Sequence, residues 1–388
     1  MSLMCSNCAK DQILKEFILS RSSRIPRCEI CGSDDANALD ADDPGLRSLV
    51  RALIRLHYSE WEYNPHWGGG GLEGLLFAEN EITNYSPHWD EELYEDLILC
   101  FVEKGYEDYD KGISLFAGYD ADGQQLPLLR SLKSDLSPKL EKLKKRLHTT
   151  NHFLLEKEVD ALLRPHISNL LTDLASGTVM YRARIGYDRK AMPLMSWGDE
   201  WHFRPYSAGQ LGAPPPPLAR SGRLNRPGVS FLYLGTNEET AICEVRPHPG
   251  HYVSVGGFES MRTIQAADLT KVSILDYYTS DMLLDQYLLL KSIDSLLSLP
   301  VVPEDREKYS LTQFLSDAFR RLACEGVMYR SSVASGSNLA VFDTSSFKYV
   351  EKSAKAVQVS NLTYEYSAVS RMDRPEEEYL IAGDGNPI

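Results

Sequence analysis

The sequence predicts an α+β protein with a small metal-held module at its front. Three observations predict it. Four of the seven cysteines stand in two C-x-x-C pairs, Cys5 with Cys8 and Cys28 with Cys31. The chain then carries apolar residues at helical spacing as far as about residue 165. After about residue 175 the texture changes to short alternating strands, Pro/Gly-rich loops and isolated amphipathic helices. Strands and helices mix there without regular βαβ alternation, which favours an α+β domain over a doubly wound sheet. The regions are 1–40, a four-cysteine zinc ribbon; 41–165, a helical domain; and 166–388, the α+β domain.

Bulk properties narrow the function. The chain has 388 residues, 43% hydrophobic and 25% charged, the balance of an ordinary globular protein. A formal net charge of −14 excludes bulk binding to nucleic acid through phosphate neutralisation, though a local basic pocket stays open. The start, "MSLMCSNCAKD", lacks the basic and apolar regions of a signal peptide. The most apolar stretch, "MLLDQYLLLKSIDSLLSLPVV", is broken by Asp285, Lys291 and Asp294, so it predicts a buried or amphipathic helix and no membrane span. A cytoplasmic location is expected. Seven cysteines, an odd number, favour reduced thiols and metal ligation over disulfides.

Element by element, the two cysteine pairs are separated by nineteen residues, a spacing that suits a Zn2+ site built from two tight turns. The plainer reading of that site is a staple for a segment too small to bury a core. "DADDPG" (40–45) reads as a linker. "LRSLVRALIRLHYSEW" and "DEELYEDLILCFVEKG" read as amphipathic helices, and "WEYNPHWGGGG" as a loop whose Trp and His side chains pack as anchors. "SPKLEKLKKRLHTTNHFLLEKEVDALL" is one long helix or two, opened by Ser137 and Pro138. "GTVMYRARIG" is a strand, and the segment ending in "SGRLNRPG" is loop. "VSFLYLG" is a strand, followed by the capped helix "TNEETAICEV". "HYVSVGGFES" and "RTIQAADLTK" are strands, and "YSLTQFLSDAFRRLACEG" is a helix ended by Gly326. "VMYRSSVASGSNLAVFDT" is strand, polar turn, strand.

Four features of the last region share a chemical logic. They are Arg182 and Arg184 in "YRAR"; Arg223, with Arg220 and Arg226, in the Pro/Gly loop; Glu244; and Ser331 with Ser332, Ser335, Ser337 and Asn338. Arginine binds phosphate through a rigid fork, and hydroxyls with backbone N–H groups complete an anion cradle. A carboxylate beside such a cradle is useful when the ligand also carries a ribose, whose oxocarbenium-like state it can stabilise. Each residue also has a plain reading: a strand arginine in a surface ion pair, Glu244 as a solvated helix residue, and the serines as turn formers.

These residues resemble a known family. "YRAR", "GRLNRPG…FLYLGTNEETAICEV" and "GVMYRSSVASGSNLAVF", in that order over about residues 175–345, are similar to the RES domain. The resemblance implies an ADP-ribosyltransferase-like fold and degradation of NAD+ by phosphorolysis or hydrolysis, in a toxin often paired with an antitoxin protein. The family arginine matches Arg182, the glutamate Glu244 and the serine Ser331. Arg223 matches the second arginine and Tyr233 the tyrosine before the helix, while Arg184 competes with Arg182 for the first role; the expected substrate-binding residues are Arg184, Arg223, Tyr233 and Asn338. The helical region resembles the HEPN-like segment found before some RES domains. HEPN ribonucleases use a closely spaced Arg and His, a pattern met by Arg51 with His57 and by Arg146 with His152.

The expected partners are NAD+ as substrate, inorganic phosphate or water as attacking group, and an antitoxin, with no membrane and with nucleic acid left open. Two alternatives stand beside this. One is an ADP-ribosyltransferase acting on a macromolecule. The other is an RNA- or partner-binding protein built on the HEPN-like region.

Overall fold

The computed structural model describes residues 3–77, 80–84, 97, 100–101, 113–119, 122–134, 136–191, 201–299, 309–363 and 366. In the front module, β1 (Leu3–Cys5), β2 (Ser23–Arg27) and β3 (Asp34–Asp40) form an antiparallel sheet in the order β1-β3-β2. The interval between the cysteine pairs is more than a loop. It holds α1 (Gln12–Arg21), capped by the Asp11 carboxylate, which accepts from the N–H groups of Ile13 and Leu14. The expected linker is also a cap. Asp43 accepts from the N–H of Leu46 and starts α2 (Pro44–His57), with proline in the first turn where no N–H is needed.

The next stretch is helical turns rather than plain loop: α3 (Glu60–Tyr63), a 3-10 turn (Pro65–Trp67) and α4 (Gly71–Phe77). Its anchors differ from those expected. Trp61 and Trp67 are 44% and 42% exposed, whereas Tyr63 is fully buried and donates to the carbonyl of Leu115. Beside it the buried Glu60 accepts from the N–H groups of Ala117 and Leu129, which ties two distant segments to α3. The expected helix "DEELYEDLILCFVEKG" lies mostly outside the described residues. The long charged stretch forms two helices, α5 (Pro138–Leu147) and α6 (His152–Leu163), because Asn151 caps the second. A short α7 (Ile167–Leu170) follows.

The remaining elements are β4 (Leu171–Leu174), β5 (Val179–Ile185), β6 (Arg189–Ala191), β7 (His202–Arg204), β8 (Leu232–Gly235), α8 (Glu238–Glu244), β9 (Tyr252–Ser260), β10 (Ile264–Asp268), α9 (Asp281–Ser298), α10 (Ser310–Arg321), β11 (Gly326–Arg330), β12 (Ser337–Val341), β13 (Phe347–Tyr349) and β14 (Lys355–Gln358). The main sheet runs β13-β9-β5-β8-β12-β11-β10-β4, with β14 also paired to β9; among the described residues only β10 and β11 are parallel neighbours. α10 stops at Arg321, short of Gly326: Ala323 takes the left-handed conformation (φ 67°) that ends the helix, and Gly326 opens β11. No helix among the described residues is long and apolar enough to cross a membrane.

Alternation along the strands divides the core. Leu232, Leu234, Met328, Leu339 and Val341 face one apolar cluster with Phe258 and Phe347. Val327, Tyr329 and Ala340 face the other, which is continuous through α9 and α10 into α2, α5, α6 and the cysteine module. Polar contacts reinforce that junction. Arg321 forks onto Asp160 of α6, the N–H of Ser114 donates to Asp281 at 2.6 Å, and the N–H of Ser137 donates to Ser292 at 2.9 Å.

Phe314, 1% exposed in this continuous cluster, tests it. Phe314→Ala is expected to cost roughly 3–5 kcal/mol and to lower the unfolding midpoint of the front helices and of the sheet together. Loss from one set of signals alone, followed by separate circular-dichroism and tryptophan-fluorescence transitions, would contradict a shared core.

Candidate functional site

The site begins where two strands part. β5 pairs with β9 along its whole length but meets β8 only at Tyr181 and Gly235. A cavity of about 310 Å³ opens beside that split, lined on β5 by Tyr181, Arg182 and Ala183 and on β8 by Tyr233, Leu234 and Gly235. α8 lies across the gap, its Ala241 and Ile242 packed with Ala183, Val253 and Val255 of β5 and β9. Gly235 permits this approach, since a Cβ there would lie 2.8 Å from the backbone nitrogen of Ala241.

α8 ends at Glu244, and that carboxylate is held firmly. Its Oε1 accepts from the Ser331 hydroxyl at 2.7 Å and from the Asn338 side-chain amide at 2.6 Å. Both donors come from the β11–β12 hairpin, whose turn bond runs from the N–H of Ser331 to the carbonyl of Gly336. Glu244 and Asn338 line the cavity; Ser331 holds Glu244 from outside it. Two such bonds restrict the carboxylate to one orientation, and hydrogen bonds to a charged group are the stronger kind.

The arginines divide. Arg182 is half-buried, donates weakly to the carbonyl of Tyr233 at 3.4 Å, and lines the cavity. Burial lowers its pKa to about 10, so an anion beside it would relieve the cost of keeping the cation there. Arg223 also lines the cavity; its guanidinium donates to the carbonyl of Leu299 at 2.6 Å and lies 5.7 Å from the centre of the Tyr309 ring. Arg184, two residues along β5 from Arg182, does not line it. Its guanidinium donates to the carbonyl of Gln210 at 2.9 Å and sits over the Tyr206 ring. Arg226 is paired with Asp317, and the carbonyl of Arg220 accepts from Asn225.

Tyr233 serves the arginine loop as well as the wall. Its hydroxyl donates to Asn225 Oδ1 at 2.8 Å and accepts from the N–H of Leu224 at 3.1 Å. Burial pushes the phenols of Tyr233 and Tyr329 up, which keeps both neutral at neutral pH. Sequence reading missed Tyr181, Arg246, Tyr309 and Tyr329 in the lining. It also missed Asn225, although "GRLN" sets it two residues after Arg223. Nothing local marks Tyr309 or Tyr329, because only the packing of α10 and β11 brings them here.

The two Arg/His pairs of the helical region stand elsewhere. Arg51 is 5% exposed and donates to the carbonyl of Phe101 at 2.9 Å. His57 lies between Asp11 at 3.3 Å and Lys133 at 2.7 Å. Arg146 pairs with Glu158, while His152 contacts Arg226. Neither pair lines the cavity.

In the front module, Cys5, Cys8, Cys28 and Cys31 bring their four sulfurs within 4.8 Å of one another. Neighbouring Sγ separations are 3.4, 3.6 and 3.7 Å. A tetrahedral shell with metal–sulfur bonds of about 2.3 Å has edges of roughly 3.8 Å, so these residues fit a metal ion. The cluster shares no residue with the cavity lining.

Comparison with known proteins bears on the last region. The RES domain family matches residues 192–366. That span includes Arg223, Tyr233, Glu244, Ser331 and Asn338, while Arg182 and Arg184 precede it. Among solved structures, the M. tuberculosis MbcT–MbcA toxin–antitoxin complex is similar over 52% of this chain and 94% of that one, with 14% identity and a TM-score of 0.29. No curated protein matches the chain.

Elemental analysis of the purified full chain is expected to find one tightly held metal ion per molecule. Cys8→Ser, which removes a buried ligand, should release it and unfold the front module. Metal content unchanged in that variant would remove the four-cysteine site.

Proposed function

From the match of residues 192–366 to the RES domain family we propose that this chain degrades NAD+ by cleaving the nicotinamide–ribose bond. The observation that carries the reading is the clamped Glu244 carboxylate in a cavity that also holds two arginines. A solvated helix glutamate has no need of two fixed donors. A carboxylate that must meet positive charge developing on a ribose does, because a preorganised charge needs no rearrangement at the moment of reaction.

In this reading Arg182 and Arg223 hold the phosphates through their guanidinium groups. Glu244 faces the nicotinamide ribose, accepting from its hydroxyls and stabilising the oxocarbenium-like state. Ser331 and Asn338 orient it. Tyr233 and Tyr329 form apolar wall for the nicotinamide half, with the Tyr233 hydroxyl kept for the loop. The cavity volume of about 310 Å³ suits that half, with the adenylate lying toward the open mouth. The bond between C1′ of ribose and the ring nitrogen breaks with its electron pair going to the nitrogen. Nicotinamide therefore leaves neutral, and the lining needs no strong general acid. Water attacking C1′ yields ADP-ribose and a proton; inorganic phosphate yields ADP-ribose 1″-phosphate. Arg184 contributes by fixing the 208–210 turn beside the site rather than by touching substrate. The cysteine cluster is a structural zinc site, and an antitoxin covering the cavity mouth is the partner that the family resemblance implies.

Purified full chain incubated with NAD+, with and without phosphate, tests this by mass identification of products. Free nicotinamide with either ADP-ribose product supports it; labelled ADP-ribose transferred to protein or nucleic acid would replace it with a transferase. Glu244→Gln should lower kcat by roughly 10²–10³-fold with folding intact. Ser331→Ala should lose about 10–100-fold, since Asn338 still holds the carboxylate. Full turnover in the Glu244 variant would sink the assignment.

A further inference from the structure

We propose, resting on the NAD+ reading of the cavity, that Gln313 is the positioning residue that holds the Arg223 loop in its ligand-binding shape. It lies on α10 and is 8% exposed. Its side-chain nitrogen, with two hydrogens to donate, lies within hydrogen-bond distance of three loop oxygens: the Ser221 hydroxyl at 2.9 Å, the Gly222 carbonyl at 2.8 Å and the Asn225 carbonyl at 2.9 Å. Its neighbour Thr312, 3% exposed, donates from Oγ1 to the carbonyl of Arg223 itself at 2.6 Å. One helical turn further on, Asp317 takes Arg226 at 3.0 Å. One helix thus grips loop positions 221, 222, 223, 225 and 226.

The loop needs such a grip. It belongs to no strand, and its backbone bonds are internal, from the N–H of Gly222 to the carbonyl of Asn225 and from the N–H of Gly228 to the carbonyl of Ala219. Asn225 fills it from within, donating to the carbonyls of Arg220 and Val229. The turn is so tight that a Cβ on Gly222 would lie 2.3 Å from Asn225 Oδ1. The carbonyls of Gly222 and Asn225 point at α10; without Gln313 that of Gly222 would lose its donor and that of Asn225 would keep only the N–H of Gly222, a costly loss for groups shielded from water. α10 is itself fixed, with Phe314 and Phe319 in the continuous core and Arg321 forked onto Asp160 of α6. The shape of the phosphate-binding loop is therefore set by a helix that the front region holds in place.

The test uses the full chain with Gln313→Ala and Gln313→Glu. Glutamate keeps the size but points a carboxylate at the Gly222 and Asn225 carbonyls, which cannot donate to it, so a packing role and a donor role predict opposite results for it. Limited trypsin digestion reads the loop without any ligand. Both variants should be cut after Arg220 and Arg223 about tenfold faster relative to sites elsewhere in the chain. For NAD+ turnover, KM should rise about tenfold with a much smaller fall in kcat. In an Arg223→Ala background the same Gln313 change should add little, because both act on one contact. Wild-type-like digestion and KM in Gln313→Glu, or a uniform rise in cutting at every site, would overturn the proposal. A wild-type chain that leaves NAD+ intact would overturn the functional reading alone, and the digestion pattern would still decide the role of Gln313.

Discussion

The contact between Glu244 and the β11–β12 hairpin joins the parts on which the cavity depends. Glu244 ends a short helix of seven residues that could not persist by itself. Its N-terminal end is capped by Asn237, its middle packs on β5 and β9, and its last side chain is tied to Ser331 and Asn338. Were that tie absent, α8 could shift over the split between β5 and β8, and the carboxylate would sample many positions. The tie also orders the hairpin turn, since Ser331 Oγ accepts from the N–H of Val333 while its hydroxyl donates to Glu244.

The cavity's other wall is made differently. Strands supply Arg182, Tyr233 and Tyr329 at fixed register, whereas Arg223 comes from a loop. Loops are where binding residues commonly sit, provided a rigid scaffold places them. Here the scaffold is α10 on one side and the Tyr233 hydroxyl on the other, both gripping the segment around Asn225. Because α10 also belongs to the core shared with α2, α5 and α6, the front half of the chain is structural support for the cavity. The net charge of −14 and the arginine-lined cavity are compatible for the same reason: charge is a property of the whole surface, and the site is a local arrangement.

Much of this was legible in the sequence, and the physical reasons are specific. C-x-x-C pairs are local, so their metal-ligand geometry is written in the spacing, and the structure brings the four sulfurs together. Strand alternation in "VMYRARI" and the capped start of "TNEETAICEV" are likewise short-range, and β5 and α8 stand where they were expected, with Asn237 as the cap. Boundaries that depend on capping were harder. Asp43 looked like linker because an acidic residue before Pro-Gly suits a turn as well as a helix start, and Gly326 looked like a helix stop although Ala323 adopts the positive φ.

The sequence by itself determined the α+β class, the cysteine cluster, and the identities of Arg182, Arg223, Glu244, Ser331 and Asn338 as candidates. Tertiary structure alone decided which of them meet. Arg184 and Arg182 read alike, yet the strand carries one to the cavity and the other to Gln210. Gln313 reads as one polar residue of an amphipathic helix, yet its amide meets carbonyls 88 and 91 residues away. Short-range patterns record how a segment folds locally; contacts across such distances depend on how helices and strands pack, and no spacing along the chain encodes them.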